Sequence, residues 1–140
     1  CPRVCTDALF QDMETKKIFR IFNTHLDHVG IEARVLGLKQ ILKKMEEDAS
    51  ADKVPAVLAG DFNAEPDWQE IKMLKQYPQY IDLTSEITGT FHDFGRQEKA
   101  DKIDYIIAQD SFQCISAVTW EDCWDGVYLS DHYPVCVEII

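Results

Sequence analysis

The sequence predicts an α/β protein of the α+β type, with a mixed, mostly antiparallel sheet covered by helices on one face. Near-continuous apolar runs at residues 56–59 and 103–108 are typical of strands that are covered on both faces. Apolar residues recur every three or four positions across residues 31–49, which indicates an amphipathic helix. A polar turn at residues 14–17 separates two strand-like runs and indicates an antiparallel hairpin.

The remaining elements follow from local patterns. In chain order, the predicted strands are residues 4–13, 18–26, 55–60, 103–108, 112–120 and 133–140. The predicted helices are residues 31–49 and 66–74, the second with Asp67 as its cap and Trp68 facing inward. Helices can cover one face of this sheet, but the chain has too few strands to build a second sheet over the other face.

Composition restricts the class of protein and of substrate. The chain has 140 residues, of which 46% are hydrophobic, enough for one globular domain. It contains no apolar stretch near the roughly 20 residues that a membrane-spanning helix needs. Its net charge of −11 favours a small phosphate ester over a long duplex, since proteins that grip nucleic acid generally show a basic face.

The five cysteines, at positions 1, 5, 114, 123 and 136, have no zinc-finger spacing. We interpret them as reduced structural thiols. The sequence does not identify the compartment, although reduced thiols favour the cytoplasm.

Polar residues border apolar runs at four points, which suits a site where a hard cation and a phosphate meet. The four motifs are Asn23-Thr24-His25-Leu26-Asp27-His28, Gly60-Asp61-Phe62-Asn63, Lys102-Ile103-Asp104-Tyr105 and Ser130-Asp131-His132-Tyr133-Pro134. In this order they resemble the C-terminal half of the endonuclease/exonuclease/phosphatase family. That family of metal-dependent phosphoesterases includes deoxyribonuclease I and the apurinic/apyrimidinic endonucleases.

The resemblance implies a fold and a domain division. Family members pack two sheets face to face between outer helices, so this chain would form half of a four-layer α/β sandwich. Residues 1–140 would be the C-terminal portion of a single domain. The N-terminal half, with an Asn and a metal-binding Glu, would be absent from this chain.

The resemblance also implies a site for Mg²⁺ or Mn²⁺. Asp61 and Asn63 lie two positions apart, so in an extended segment their side chains point the same way. The family assigns this pair to the attacking water, and Asp61, Asn63 and Asp131 to the metal. Gly-Asp-Phe-Asn would also make a good turn after a strand.

Two histidines are predicted to contact the phosphate. His132 would touch the scissile phosphate while Asp104 accepts from one ring nitrogen and fixes the orientation of the other. His25, at the end of a predicted strand, would donate to a phosphate oxygen. These residues complete the predicted catalytic set, namely His25, Asp61, Asn63, Asp104 and His132.

Three further residues are candidates for substrate binding. His28 either supports the site or begins a polar loop, and Arg34 either reaches back to that loop or neutralises surface charge. His92 lies in a loop of the kind that often sets substrate selectivity, although such a loop can also be only a connection.

These residues predict hydrolysis of a phosphodiester or phosphomonoester by an activated water. One alternative is a non-catalytic phosphate-binding or assembly module. A more distant one is a zinc hydrolase like the metallo-β-lactamases, because residues 25–28 overlap the signature H-x-H-x-D-H, although Asn23 replaces its first His. The expected partners are the missing half or a second copy bound through an exposed sheet face.

Overall fold

The computed structural model describes residues 2–140. The strands are β1 Cys5–Gln11, β2 Ile18–His25, β3 Ala56–Asp61, β4 Tyr80–Asp82, β5 Asp104–Gln109, β6 Cys114–Thr119 and β7 Val135–Ile139. The helices are α1 Ile31–Asp52 and α2 Gln69–Lys72, with short 3₁₀ segments at Met73–Gln76 and Asp93–Gly95. Within residues 2–140, no helix is both long enough and apolar enough to cross a membrane.

The main sheet is mixed and mostly antiparallel, as the sequence predicts. Among the described residues it has five strands in the order β1-β2-β3-β5-β4, of which the pair β2 and β3 is parallel. A parallel pair needs a crossover connection, and α1 supplies it. Strands β6 and β7 form a separate antiparallel pair.

Helix α1 covers one face of the main sheet and confirms the predicted amphipathic helix. Leu38, Leu42 and Met45 are fully buried on its inner side and join a core that includes Phe22 and Leu58 of the sheet. Removal of this apolar surface from water is the main driving force that holds the helix to the sheet.

The opposite face of the sheet is partly covered by the chain itself. Val57 and Ala108 are buried on this face, and Val137 and Ile139 of β7 pack against them. The β6–β7 hairpin therefore begins a second sheet layer, so the expected bare face is smaller than the sequence suggested. Large apolar side chains are instead exposed in the loop before β7, where Trp124 is 81% exposed.

The region after β3 differs from the prediction. Helix α2 has only four residues and begins after Trp68 without a side-chain cap, so the prediction that Asp67 caps it is wrong. Trp68 is 42% exposed instead of facing inward, because its ring lies against the guanidinium of Arg34 at 5.1 Å. Strand β4 was not predicted, because three residues are too short to show a period.

Candidate active site

Three neighbouring strands bring polar side chains to one edge of the main sheet. Asp61, the last residue of β3, is the register partner of His25 on β2 and of Asp104 on β5. Residues directly opposite each other in a sheet have neighbouring side chains. The site is therefore built by strand register rather than by a single loop.

Gly60 makes this close arrangement sterically feasible. Its φ is +146°, and a Cβ added there would lie 1.9 Å from the carbonyl oxygen of Thr24 on β2. No other residue type could occupy this position without moving the two strands apart. The close approach of β2 and β3 thus requires a glycine before Asp61, which the sequence alone does not reveal.

The carboxylate of Asp61 lies between two imidazoles. Its Oδ2 is 3.3 Å from Nε2 of His25 and 3.9 Å from Nε2 of His132. Its Oδ1 accepts a hydrogen bond from the main-chain N–H of Asn63 at 2.8 Å. One oxygen is thus used to fix the side chain, and the other faces the histidines.

His132 is held by Asp104. Its Nδ1 lies 2.7 Å from Oδ2 of Asp104, and this pairing leaves Nε2 on the side of Asp61. The main-chain N–H groups of Ile103 and Asp104 both donate to Oγ1 of Thr90 at 3.1 Å. Because Thr90 is fully buried, it fixes the backbone that carries the orienting carboxylate.

The electrostatics of the site follow from this packing. Burial raises the pKa of Asp61, the nearby Asp104 carboxylate raises it further, and the Asn63 N–H and the two imidazoles oppose the rise. The hydrogen bond to Asp104 raises the pKa of His132. Two carboxylates therefore share a half-buried site, where a positive charge would be stabilising.

The donor atoms fit a hard divalent cation. Ligand atoms of Asp61, Asp104 and His132 lie within 4.8 Å of one another. Among residues 2–140, these three form the group of side chains that could hold a metal ion. Mg²⁺ and Mn²⁺ prefer oxygen ligands, and Mg²⁺ is usually bound by one or two carboxylates with several waters. Since Asp104 and His132 are already bonded to each other, Asp61 is the most available of the three.

The comparisons with known proteins agree with this geometry. The sequence model of the Endonuclease/Exonuclease/phosphatase family matches residues 9–132. The chain belongs to this family. A search of curated proteins finds no significant match.

Solved structures of the family have the same fold. The endonuclease/exonuclease/phosphatase from Bacteroides vulgatus is 33% identical with a TM-score of 0.88, over 100% of this chain and 56% of that one. A mannosyl-6-phosphatase from Bacteroides thetaiotaomicron is 29% identical with a TM-score of 0.86, over 99% of this chain and 57% of that one. The human Nocturnin catalytic domain with bound sulfate is 22% identical with a TM-score of 0.76, over 99% of this chain and 52% of that one. At this identity the likeness shows the fold alone.

This chain thus spans a little over half the length of the two Bacteroides structures.

Asn63, in the Gly-Asp-Phe-Asn motif, does not have the extended backbone that the sequence predicts. Its φ is +49°, so the segment after Asp61 turns and is not extended. Strand alternation therefore does not align the side chains of Asp61 and Asn63. The segment forms a turn after the strand, which was the alternative interpretation. Its Nδ2 donates to the carbonyl oxygen of Leu26 at 3.0 Å, which ties the loop after His25 to the loop after Asp61.

Asp131 lies beside the cluster but not in it. Its main-chain carbonyl accepts from the N–H groups of His92 and Asp93, and its carboxylate is bonded by the hydroxyl of Ser130 at 3.3 Å. It is not a member of the group that lies within 4.8 Å. Its part in metal binding stays a prediction.

Arg34 and His28 are not brought to the cluster. Arg34 is only 2% exposed, donates to Glu70 at 2.7 Å and reaches back to the carbonyl oxygen of Asp27 at 3.1 Å. Arg34 thus reaches back to the loop after β2, which was one of its two interpretations, and its part in substrate binding stays a prediction. His28 is exposed, and its Nδ1 lies 2.9 Å from Nη2 of Arg3.

His92 is buried instead of lying on an exposed loop. Its ring stacks on Tyr133, the residue after His132, with 3.9 Å between the ring centres. It is therefore near the cluster, but in a separate aromatic group.

Sequence reasoning missed two supporting residues. Thr90 gives no signal in the sequence, because its two hydrogen bonds join segments 13 and 14 residues away. Lys102 is buried and its Nζ lies 3.1 Å from Oδ2 of Asp82 and 2.5 Å from the carbonyl oxygen of Thr84. A lysine directly before a buried strand could have indicated this role, since a buried charge needs a partner.

Proposed function

We propose that this chain supplies part of the active site of a phosphoesterase that depends on Mg²⁺ or Mn²⁺. The reaction would be hydrolysis of a phosphodiester or phosphomonoester by an activated water. The observation that carries this proposal is the position of Asp61 between the imidazoles of His25 and His132, with His132 held by Asp104.

Each side chain has a distinct part. Asp61 accepts a proton from the attacking water and orients it toward phosphorus. His132 and His25 donate hydrogen bonds to phosphoryl oxygens, where negative charge grows in the transition state. Because its pKa is raised, His132 carries the proton that it needs for this contact over a wider pH range.

A bound Mg²⁺ or Mn²⁺ would offset the negative charge on the phosphate. Asp61, Asn63 and Asp131 are the residues of this chain that we assign to hold it. Burial, and after it repulsion from the carboxylate of Asp104, raises the pKa of Asp61, and a cation bound by Asp61 would relieve that repulsion.

We favour a small phosphate ester as substrate. The chain carries a net charge of −11, which opposes binding to the phosphates of a long duplex. The relative at 29% identity is named as a mannosyl-6-phosphatase, a protein that acts on a small phosphate ester.

The test is hydrolysis with Mg²⁺ in the natural polypeptide that carries this sequence, with a sugar phosphate and duplex DNA as substrates. We expect turnover of the small ester, lost in Asp61→Ala and His132→Ala. Glu47→Gln, at an exposed position of α1, is the matched control and should leave turnover unchanged. Tight phosphate binding without turnover would instead support a non-catalytic module.

The 140-residue chain by itself should have little or no activity. It spans 56–57% of the length of the two Bacteroides relatives, and the resemblance puts a metal-binding Glu in the part that it does not match. Robust turnover by this chain alone, abolished by Asp61→Ala, would contradict this expectation.

Self-association through an exposed sheet face remains a prediction, and the loop before β7 is a second exposed apolar surface. Trp124 and Leu129 are strongly exposed in the loop before β7, and such apolar side chains favour contact with another surface. A second copy or the rest of a family domain would cover them. Light scattering after size-exclusion chromatography tests this, and a well-behaved monomer would exclude the homodimer.

A further inference from the structure

A cavity of about 140 Å³ lies beside the catalytic imidazole. Six of the residues that line it are His92, Trp120, Asp122, Tyr128, Ser130 and His132. Hydrogen bonds from the main chain of His92 to Asp131 and from Tyr133 to Thr90 join the two loops that form it. The cavity is therefore pre-formed, as binding pockets usually are.

His92, one of the residues that line this cavity, has an unpartnered hydrogen-bond donor. The residue is 2% exposed, and its Nδ1 accepts a hydrogen bond from the main-chain N–H of Gly95 at 2.9 Å. A ring nitrogen that accepts carries no proton, so the proton of His92 is on Nε2. Nε2 is buried and has no partner among the described residues, although buried polar groups are nearly always paired.

The ring cannot easily turn to find a partner elsewhere. It stacks on Tyr133 with ring centres 3.9 Å apart and planes 8° apart, and Tyr128 meets it edge-on at 4.4 Å. Tyr128 in turn packs so closely on Gly95 that an added Cβ would lie 2.7 Å from its ring. The ring is therefore held in an orientation that leaves the Nε2 proton without an acceptor among the described residues.

The walls restrict the chemistry of that occupant. The rings of Trp120 and Tyr128 suit the flat or C–H face of a small ring, and the carboxylate of Asp122 opposes a second anionic group while it can accept from a hydroxyl. The volume is well below the roughly 300–1,000 Å³ of pockets for drug-sized ligands, so one ring fits and an oligonucleotide does not. A lone water is a poorer occupant, since buried waters usually have two to four polar partners.

We propose that this cavity is a specificity site for the sugar ring of a sugar phosphate, with His92 Nε2 donating to a ring hydroxyl. The proposal rests on the proposed function, because it places the phosphate of the same molecule at His132. It makes His92 a residue that selects the alcohol part of the ester and leaves the chemistry of the phosphate to other side chains.

The test compares two esters in the natural polypeptide with Mg²⁺. Glucose 6-phosphate carries ring hydroxyls, and cyclohexylmethyl phosphate has a similar ring without them. We expect His92→Phe, which keeps a stacked ring but loses the donor, to lower kcat/KM for glucose 6-phosphate about tenfold, the effect of one hydrogen bond. Its kcat/KM for cyclohexylmethyl phosphate should be unchanged, and His92→Gln should restore part of the loss.

Two further variants locate the ring. Trp120→Ala removes a wall of the cavity and should weaken both esters, whereas Trp124→Ala, an exposed tryptophan outside the cavity, should weaken neither. In the 140-residue chain, glucose 6-phosphate should shift the ¹H–¹⁵N signal of His92 Nε2, a readout that does not depend on turnover. Circular dichroism checks that each variant is folded.

Equal kcat/KM for the two esters in the unmodified protein, or an equal loss for both in His92→Phe, would overturn the sugar site while the proposed function stands. A failure to hydrolyse either ester, together with no binding of inorganic phosphate, would overturn the proposed function and the sugar site with it. A nucleotide that shifts the Nε2 signal more strongly than glucose 6-phosphate would replace the sugar ring with a base and so contradict the proposal.

Discussion

Two of the groups of charged side chains that lie away from open solvent are built on opposite principles. Arg34 and Glu70 are 2% and 1% exposed, and Nε and Oε1 are 2.7 Å apart. At the sheet edge, Asp61, Asp104 and His132 are only half-buried, and the two carboxylates lie beside the imidazoles of His132 and His25. The first group balances its charge, and the second does not.

This difference separates a structural pair from a reactive site. Arg34 is held by Glu70, by the carbonyl oxygen of Asp27 and by the face of Trp68, and it is only 2% exposed. At the sheet edge, burial raises the pKa of Asp61, and the neighbouring carboxylate of Asp104 raises it further. Perturbed groups of this second kind are the ones that cluster at functional sites.

The largest expected effect is loss of activity from the unbalanced group. Asp61→Ala and His132→Ala should each lower kcat in the natural polypeptide by about 10²–10⁴-fold, the usual cost of a lost acid–base or transition-state contact. Thermal unfolding should show that both variants remain folded. If both kept the kcat of the unmodified protein, the sheet edge would not be the active site.

The balanced pair should show the opposite pattern. Glu70→Ala leaves a buried guanidinium without its partner and should lower the free energy of unfolding by about 3–5 kcal/mol. The double variant Arg34→Met with Glu70→Leu should recover most of this loss, because it removes both charges. Urea denaturation of the 140-residue chain measures these values.

The exposed pair of Lys43 and Glu47 on α1 provides the control for that measurement. Glu47→Ala should cost no more than about 0.5 kcal/mol, since such pairs contribute little in water. If Glu70→Ala were equally harmless, the ion pair would not be the structural element that its burial suggests.

A smaller effect should come from the residue that orients His132. In the metal-free chain, Asp104→Asn removes the carboxylate that raises the pKa of His132, so that pKa should fall. The protonated imidazole contributes stability in full below its unfolded pKa of about 6.5, and the contribution is lost as pH rises through the raised folded pKa. NMR titration of the imidazole would show no shift if Asp104 were not its partner.

The loss of kcat in Asp104→Asn should be smaller than that in His132→Ala, because the imidazole is misoriented rather than removed. A loss equal to that in His132→Ala would mean that Asp104 does more than position the ring.

Strand positions were predictable from sequence because apolar runs and the polar residues that end them are local patterns. Asp61 and Asp104 end or begin such runs, and their register then brings them together. The pairing of Arg34 with Glu70, 36 residues away, has no local pattern, so a buried arginine was interpreted as a substrate contact. The burial of His92 was missed for the same reason, because tyrosines more than 30 residues away enclose it.

The smallest expected effect distinguishes the two groups by stability alone. Asp61→Asn should raise the melting temperature of the metal-free chain at pH 7, because it removes a carboxylate that burial disfavours in its charged form. The amide oxygen can still accept from the Asn63 N–H, so the turn after β3 is kept. Since the folded pKa of Asp61 is raised, the destabilisation exists above that pKa and disappears as pH falls below the unfolded value of about 3.9. The gain in melting temperature should therefore shrink toward zero in acid. A lower melting temperature for Asp61→Asn than for the unmodified chain at pH 7 would contradict this prediction. It would mean that the histidines compensate the charge of Asp61 as fully as Glu70 compensates that of Arg34.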